Sequence, residues 1–97
     1  MINEAQMLRI TETVENGSVV KLRLDGTITS ESFAEIDRTC AHYRSEINHT
    51  VVLDMAGVTF MQTEPAQKLA QLKRDRLRII NCSPFIAALL ETAETTD

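Results

Sequence analysis

Thr50-Val51-Val52-Leu53-Asp54-Met55, continued by Ala56-Gly57-Val58-Thr59-Phe60-Met61, is the stretch on which the reading of this chain turns. Val51-Val52-Leu53 is an uninterrupted apolar run. Such runs belong to strands covered on both faces, which makes this one central. Gly57 breaks the pattern, so residues 56–62 read as a loop with a second apolar patch at Val58, Phe60 and Met61.

Upstream, Phe33, Ile36, Cys40, Tyr43 and Ile47 recur at steps of three and four, and Glu35, Asp37, Arg38, Arg44 and Glu46 lie off that line. The spacing predicts an amphipathic helix over residues 33–47 of about four turns. Residues 29–32 are rich in capping hydroxyls, Ser32 and Glu35 have the spacing of a capping box, and Asn48 and His49 close the helix. Earlier still, Leu8, Ile10 and Val14 alternate over residues 7–14, and Val20, Leu22 and Leu24 alternate with Lys21 and Arg23 over 19–24. Between them stands Glu15-Asn16-Gly17-Ser18, whose Asn-Gly pair is a strong hairpin signal. Asp25-Gly26 ends the second strand.

Downstream, Thr63-Glu64-Pro65 opens a helix, with Thr63 as cap and proline in the first turn, where its missing N–H costs little. Ala66, Leu69, Ala70 and Leu72 supply its buried face. Residues 77–80 form a short strand. Ser83-Pro84 then starts a last helix with Phe85, Ile86, Leu89, Leu90 and Ala93, and residues 94–97 fray. The order is β-β-α-β-α-β-α. The expected fold class is therefore α/β: a mixed sheet with helices packed mainly on one face, one domain over 1–97 with its core in about 7–93.

Composition excludes several functions. The 97 residues are 43% hydrophobic and 25% charged, with a net charge of -4 and a pI near 5.1. Neither disorder nor a fibrous repeat fits. No apolar run approaches the length of a spanning helix and no leader is visible, so the expected location is the cytoplasm, without direct membrane insertion. The basic cluster Lys68, Lys73, Arg74, Arg76 and Arg78 reads as a solvated helix end, and with 4% aromatics no stacking platform exists. No nucleic acid is expected. Cys40 and Cys82 stand in apolar company and read as buried small hydrophobes, not as a disulfide or zinc ligands. His42 and His49 read as surface histidines, and Asp25 and Asp54 as strand-ending carboxylates that accept local backbone hydrogen bonds. Neither a phosphate loop nor a catalytic constellation is present, so no catalytic residue, metal or cofactor is expected.

One junction stands out, Phe60-Met61-Gln62-Thr63-Glu64-Pro65, where a hydroxyl sits at a helix N-terminus that favours an anion. An ordinary threonine cap is the plainer alternative.

At this point the residues resemble a family. Residues 51–61, together with Leu24-Asp25-Gly26-Thr27-Ile28 and Ile79-Ile80-Asn81-Cys82-Ser83-Pro84, look like the segments of STAS domains, the bacterial anti-sigma factor antagonist fold. The resemblance runs from about Val19 to Ala93. It implies a non-enzymatic protein-binding domain of signal transduction and transcription regulation. The family's regulatory Asp-Ser-Ser-Gly falls on Gln62, Thr63, Glu64 and Pro65, with Thr63 at the phosphoacceptor position. Only the hydroxyl is retained, and threonine there occurs in stressosome proteins and in the small STAS subunit of a lipid-transport ABC system. The implied partner surface is Gln62, Thr63, Glu64, Pro65, Gln67 and Lys68. The implied partner is a protein, either an anti-sigma kinase or, alternatively, an ATPase or stressosome-like assembly bound constitutively, and a homodimer is compatible with it. A small-ligand or nucleotide binder is a third class, for which no phosphate loop speaks.

Overall fold

The computed structural model describes residues 8–46, 49–72 and 77–95. Strands β1 (Arg9–Asn16) and β2 (Val19–Ile28) form the opening hairpin. Helix α1 (Ser30–Ala41) runs on as a π-helical segment, His42–Glu46, and the next element is β3 (Thr50–Met61). Helix α2 (Thr63–Leu72), strand β4 (Leu77–Ile80) and helix α3 (Pro84–Thr95) complete the chain. The four strands lie in the order β1-β2-β3-β4. The first pair is antiparallel, and both β2–β3 and β3–β4 are parallel. The hairpin is thus joined to the Val51-Val52-Leu53 strand, with Val20 opposite Val51 and Leu22 opposite Leu53.

Two successive parallel crossovers step the same way across the sheet. Right-handed connections then put both crossover helices on one face. Val20, Leu22 and Leu24 of β2, Val51, Leu53 and Met55 of β3, and Leu77 of β4 meet Phe33, Ile36, Cys40, Ala66, Leu69, Ile86 and Leu90 there in one buried core. Burial raises the Cys40 thiol pKa to about 11, against the opposing pull of Arg44 and with a smaller push from Asp37.

Several expectations change. The 56–62 segment is not a loop but the second half of β3. Gly57 permits this, because a Cβ there would collide with the Asp25 carboxylate and lie 2.9 Å from the Leu24 carbonyl oxygen. Asp25-Gly26 does not end β2 either: the strand continues to Ile28 through register shifts beside β3, with Gly26 at a φ of 111°. Residue 26 must be glycine for that backbone. The α1 cap is Thr29 rather than Ser32. Thr29 accepts from the Ser32 N–H, and the Ser32 hydroxyl accepts from the Thr29 N–H, so serine takes the place of Glu35 in the box. Val14 is on the core side of β1 but lies exposed, and Glu12 between it and Ile10 accepts a 2.6 Å hydrogen bond from the Tyr43 hydroxyl. Cys82 and His49 are half-buried instead of buried and exposed, respectively. Ser83 caps α3 as expected, accepting from the Ile86 N–H at 3.2 Å. The expectations for Met7, Ile47, Asn48, Lys73, Arg74 and Arg76 fall outside the described residues.

The described helices cover one face of the sheet. On the other, Val52 is half-buried rather than sealed, so the sequence's two-sided central strand is one-sided among the described residues.

Candidate functional site

The end of β3 and the start of α2 meet in two residues. Gln62 is still held by the sheet, its N–H donating to the Ile28 carbonyl at 2.9 Å, and its own carbonyl accepts the first helical hydrogen bond from Ala66 at 3.2 Å. Gln62 therefore occupies the cap position by backbone, and Thr63 is the first helical residue rather than the cap. With Pro65 lacking an N–H, the Thr63 and Glu64 amides are the helical donors left without an intrahelical partner.

The side chains around this end are tied to α1. The Gln62 amide oxygen accepts from the Ser30 N–H at 2.8 Å, and the Ser30 hydroxyl donates to the Glu64 carboxylate at 2.7 Å. Glu64 also faces Lys68 one turn on, at 3.9 Å, and the Lys68 ammonium stands 5.7 Å from the Phe33 ring centroid. The start of α1 is thus capped by Gln62, and the Ser30–Glu64 hydrogen bond ties the two helix starts together. Sequence reasoning missed Ser30. Its hydroxyl was visible only as one of several in the 29–32 stretch, and its partner lies 34 positions away.

Thr63 itself is exposed. It lines a groove of about 250 Å³ between α2 and α3, together with Gln67, Phe85, Ala88, Leu89, Thr92 and Ala93. Phe85 is 54% exposed beside it. A second groove, of about 410 Å³, runs between α1 and α2 past Ser30, Phe33, Asp37, Lys68 and Gln71. Of the six residues assigned from sequence, Gln62, Thr63, Glu64, Gln67 and Lys68 are exposed along one side of α2. Pro65 departs from the set: its ring is fully buried beneath them and positions the turn from below. Thr59 donates to the Gly26 carbonyl at 3.2 Å, away from this surface. Among the described residues, His, Cys, Asp and Glu nowhere group to hold a metal ion. No helix among them is long and apolar enough to cross a membrane.

The family model described as STAS domain matches residues 11–97. The structure of the anti-sigma factor antagonist SpoIIAA in its unphosphorylated form superposes with a TM-score of 0.70 at 14% identity, covering 86% of this chain and 82% of that one. A protein of the DUF3478 family with a SpoIIAA-like fold, from Shewanella loihica PV-4, gives a TM-score of 0.59 at 12% identity, covering 96% of this chain and 82% of that one. At such identities the likeness is one of fold. No curated protein matches the chain.

Proposed function

The chain belongs to the STAS domain family, and from that premise we propose that it is a non-enzymatic, cytoplasmic protein-interaction domain of the anti-sigma-antagonist kind, working through the start of α2. One observation carries the reading: the exposed Thr63 hydroxyl stands at a helix N-terminus on the rim of the apolar α2–α3 groove. A docking surface and its chemical control then share one turn of helix. The groove and Phe85 supply apolar contact, Gln67 and Lys68 supply a polar margin, and Thr63 is the phosphoacceptor.

Phosphorylation adds nearly two negative charges at that rim. The helix dipole and the free Thr63 and Glu64 amides favour them, whereas the Glu64 carboxylate next door opposes them. The Ser30 hydroxyl and Lys68 already engage Glu64, which draws that carboxylate toward α1. The modified surface repels an acidic partner and admits an arginine.

A second reading rests on the same Glu64. Held in place, it is a permanent negative charge at the turn, as suits a constitutive subunit of an ABC-type ATPase or stressosome-like assembly that no kinase controls. The two readings separate by incubation with an anti-sigma-type kinase and ATP, followed by mass spectrometry of wild type and Thr63→Ala. A phosphate increment confined to wild type, with partner binding changed by it, supports the switch. No increment, unchanged binding by Thr63→Ala and lost binding by Glu64→Ser leave the constitutive reading.

A further inference from the structure

Parallel strands are ordinarily covered on both faces, because their crossovers lay helices over them. Here β2, β3 and β4 are mutually parallel, and the described helices all lie on one side. The register puts Lys21 beside Val52 and Arg78, and Arg23 beside Asp54 and Ile80, on the opposite side. Val19, Val52 and Ile80 are half-buried there, while Arg23 and Arg78 are exposed. An apolar strip is thus left open within a rim of cations.

We propose that this uncovered face, around Val52 and Ile80, is a docking surface for an acidic amphipathic α-helix of a partner protein. Strands about 4.8 Å apart make a four-stranded face roughly 15–19 Å broad, and one helix about 10 Å across seats on it. Its apolar stripe meets Val19, Val52 and Ile80, and its flanking carboxylates meet Lys21, Arg23 and Arg78. The charge at the face is positive in a chain whose net charge is -4. Of the acids on this side, Asp54 is held by the Asn81 amide and the Ala56 N–H, both at 3.0 Å. Asp25 is held by Arg23 at 3.3 Å. Among the described residues neither Lys21 nor Arg78 lies within ion-pair distance of a carboxylate, although Lys21 acts on Asp54 from further off. Among the described strands Phe60 supplies the one aromatic ring, 47% exposed, too little for a platform on which bases stack. Its interspersed Asp25 and Asp54 also break up the uniform positive field that an anionic membrane or a phosphate backbone requires.

The test uses the full chain, isotope-labelled for NMR, and a synthetic peptide of about 18 residues, or five helical turns. The peptide has leucines on one stripe and glutamates elsewhere. Controls are the same composition with the stripe scrambled, a lysine version, and vesicles of phosphatidylglycerol. The expected result is saturable movement of the Val19, Lys21, Val52, Arg78 and Ile80 signals with the acidic striped peptide. Affinity should fall roughly tenfold in Lys21→Glu/Arg78→Glu, decline with added salt, and stay the same in Thr63→Ala. Should the double variant melt early, Arg78→Glu alone reads the same loss at about threefold. The proposal is overturned by shifts confined to the α2–α3 groove, by equal binding of the scrambled or lysine peptide, or by no binding at all. Movement of the same signals by vesicles instead, by concentration of the protein alone, or contacts to this face from the chain itself would give it to another occupant and also overturn it. Loss of the Thr63 switch leaves these signals untouched, so the two proposals fail separately.

Discussion

Gly57 has no side chain because the Asp25 carboxylate occupies the space where one would stand. Gly57→Ala must displace that carboxylate and press on the Leu24 carbonyl, a packing strain of about 1–3 kcal/mol. Urea unfolding should show this loss, and Asp25→Ala in the same chain should restore part of it. Asp54 shows how far single residues can be read from sequence. The sequence places it at a strand end, accepting a local backbone hydrogen bond; it accepts one from Ala56, but β3 runs on past it to Met61. Its second donor, Asn81, sits at a φ of 60° after β4, a placement that only the parallel pairing of β3 with β4 creates. The Asn81 hydrogen bond, then the Ala56 N–H, hold the Asp54 pKa below the ordinary carboxylate value, with Lys21 and Arg23 assisting against desolvation. A depressed folded pKa contributes stability above the unfolded value that is lost as pH falls through the folded one. Asp54→Ala should therefore cost about 2 kcal/mol near neutrality, and its deficit should shrink in acid, as read by denaturant titration across pH.

At the scale of elements, the cap residues decide where each helix begins. Thr29→Ala removes one half of a reciprocal box and should lower stability by about 1 kcal/mol, measured by thermal unfolding. Gln62→Ala releases the Ser30 N–H at the start of α1 from a residue 32 positions away. About 1 kcal/mol should be lost there too, with faster amide exchange in the first turn of α1 although the substitution lies before α2. Helices α2 and α3 were legible because proline, a preceding polar cap and a clean apolar face agree. The far end of α1 was less so, since its apolar stripe continues past Ala41 while the backbone loosens into a π-helical turn that brings Tyr43 to Glu12. The second half of β3 was misread because glycine signals a break in sequence. In the sheet it signals only that another strand's side chain lies on top.

Across the whole molecule, stability should form a plateau with two shoulders. On the alkaline side, Cys40 is neutral when folded, with its pKa raised from 9.0 to about 11. A raised folded pKa contributes stability that is complete below the unfolded value and lost as pH rises through the folded one. Stability should therefore fall between about pH 9 and 11, and Cys40→Ala should flatten that fall when the two proteins are melted side by side. The global fold was legible because strand, helix and turn signals alternate in an order with few right-handed solutions. The site was legible only in part. Thr63 follows from its place after β3, but the Ser30–Glu64 hydrogen bond and the apolar groove behind Thr63 depend on how α1 and α3 pack beside α2. No local spacing encodes that packing.

The strand order 1-2-3-4 also bears on how the chain is made. Each strand pairs with the one synthesised before it, and none has to be inserted between two already joined. A chain leaving the ribosome can close its hairpin first, lay β3 on the free edge of β2 while α1 wraps over, and finish with β4 at the far side. Refolding followed by pulsed hydrogen exchange should accordingly protect β2 and β3 before β4. The last-made edge is then the last to be sealed, and the groove beside Thr63 exists only once α3, the last helix, has packed.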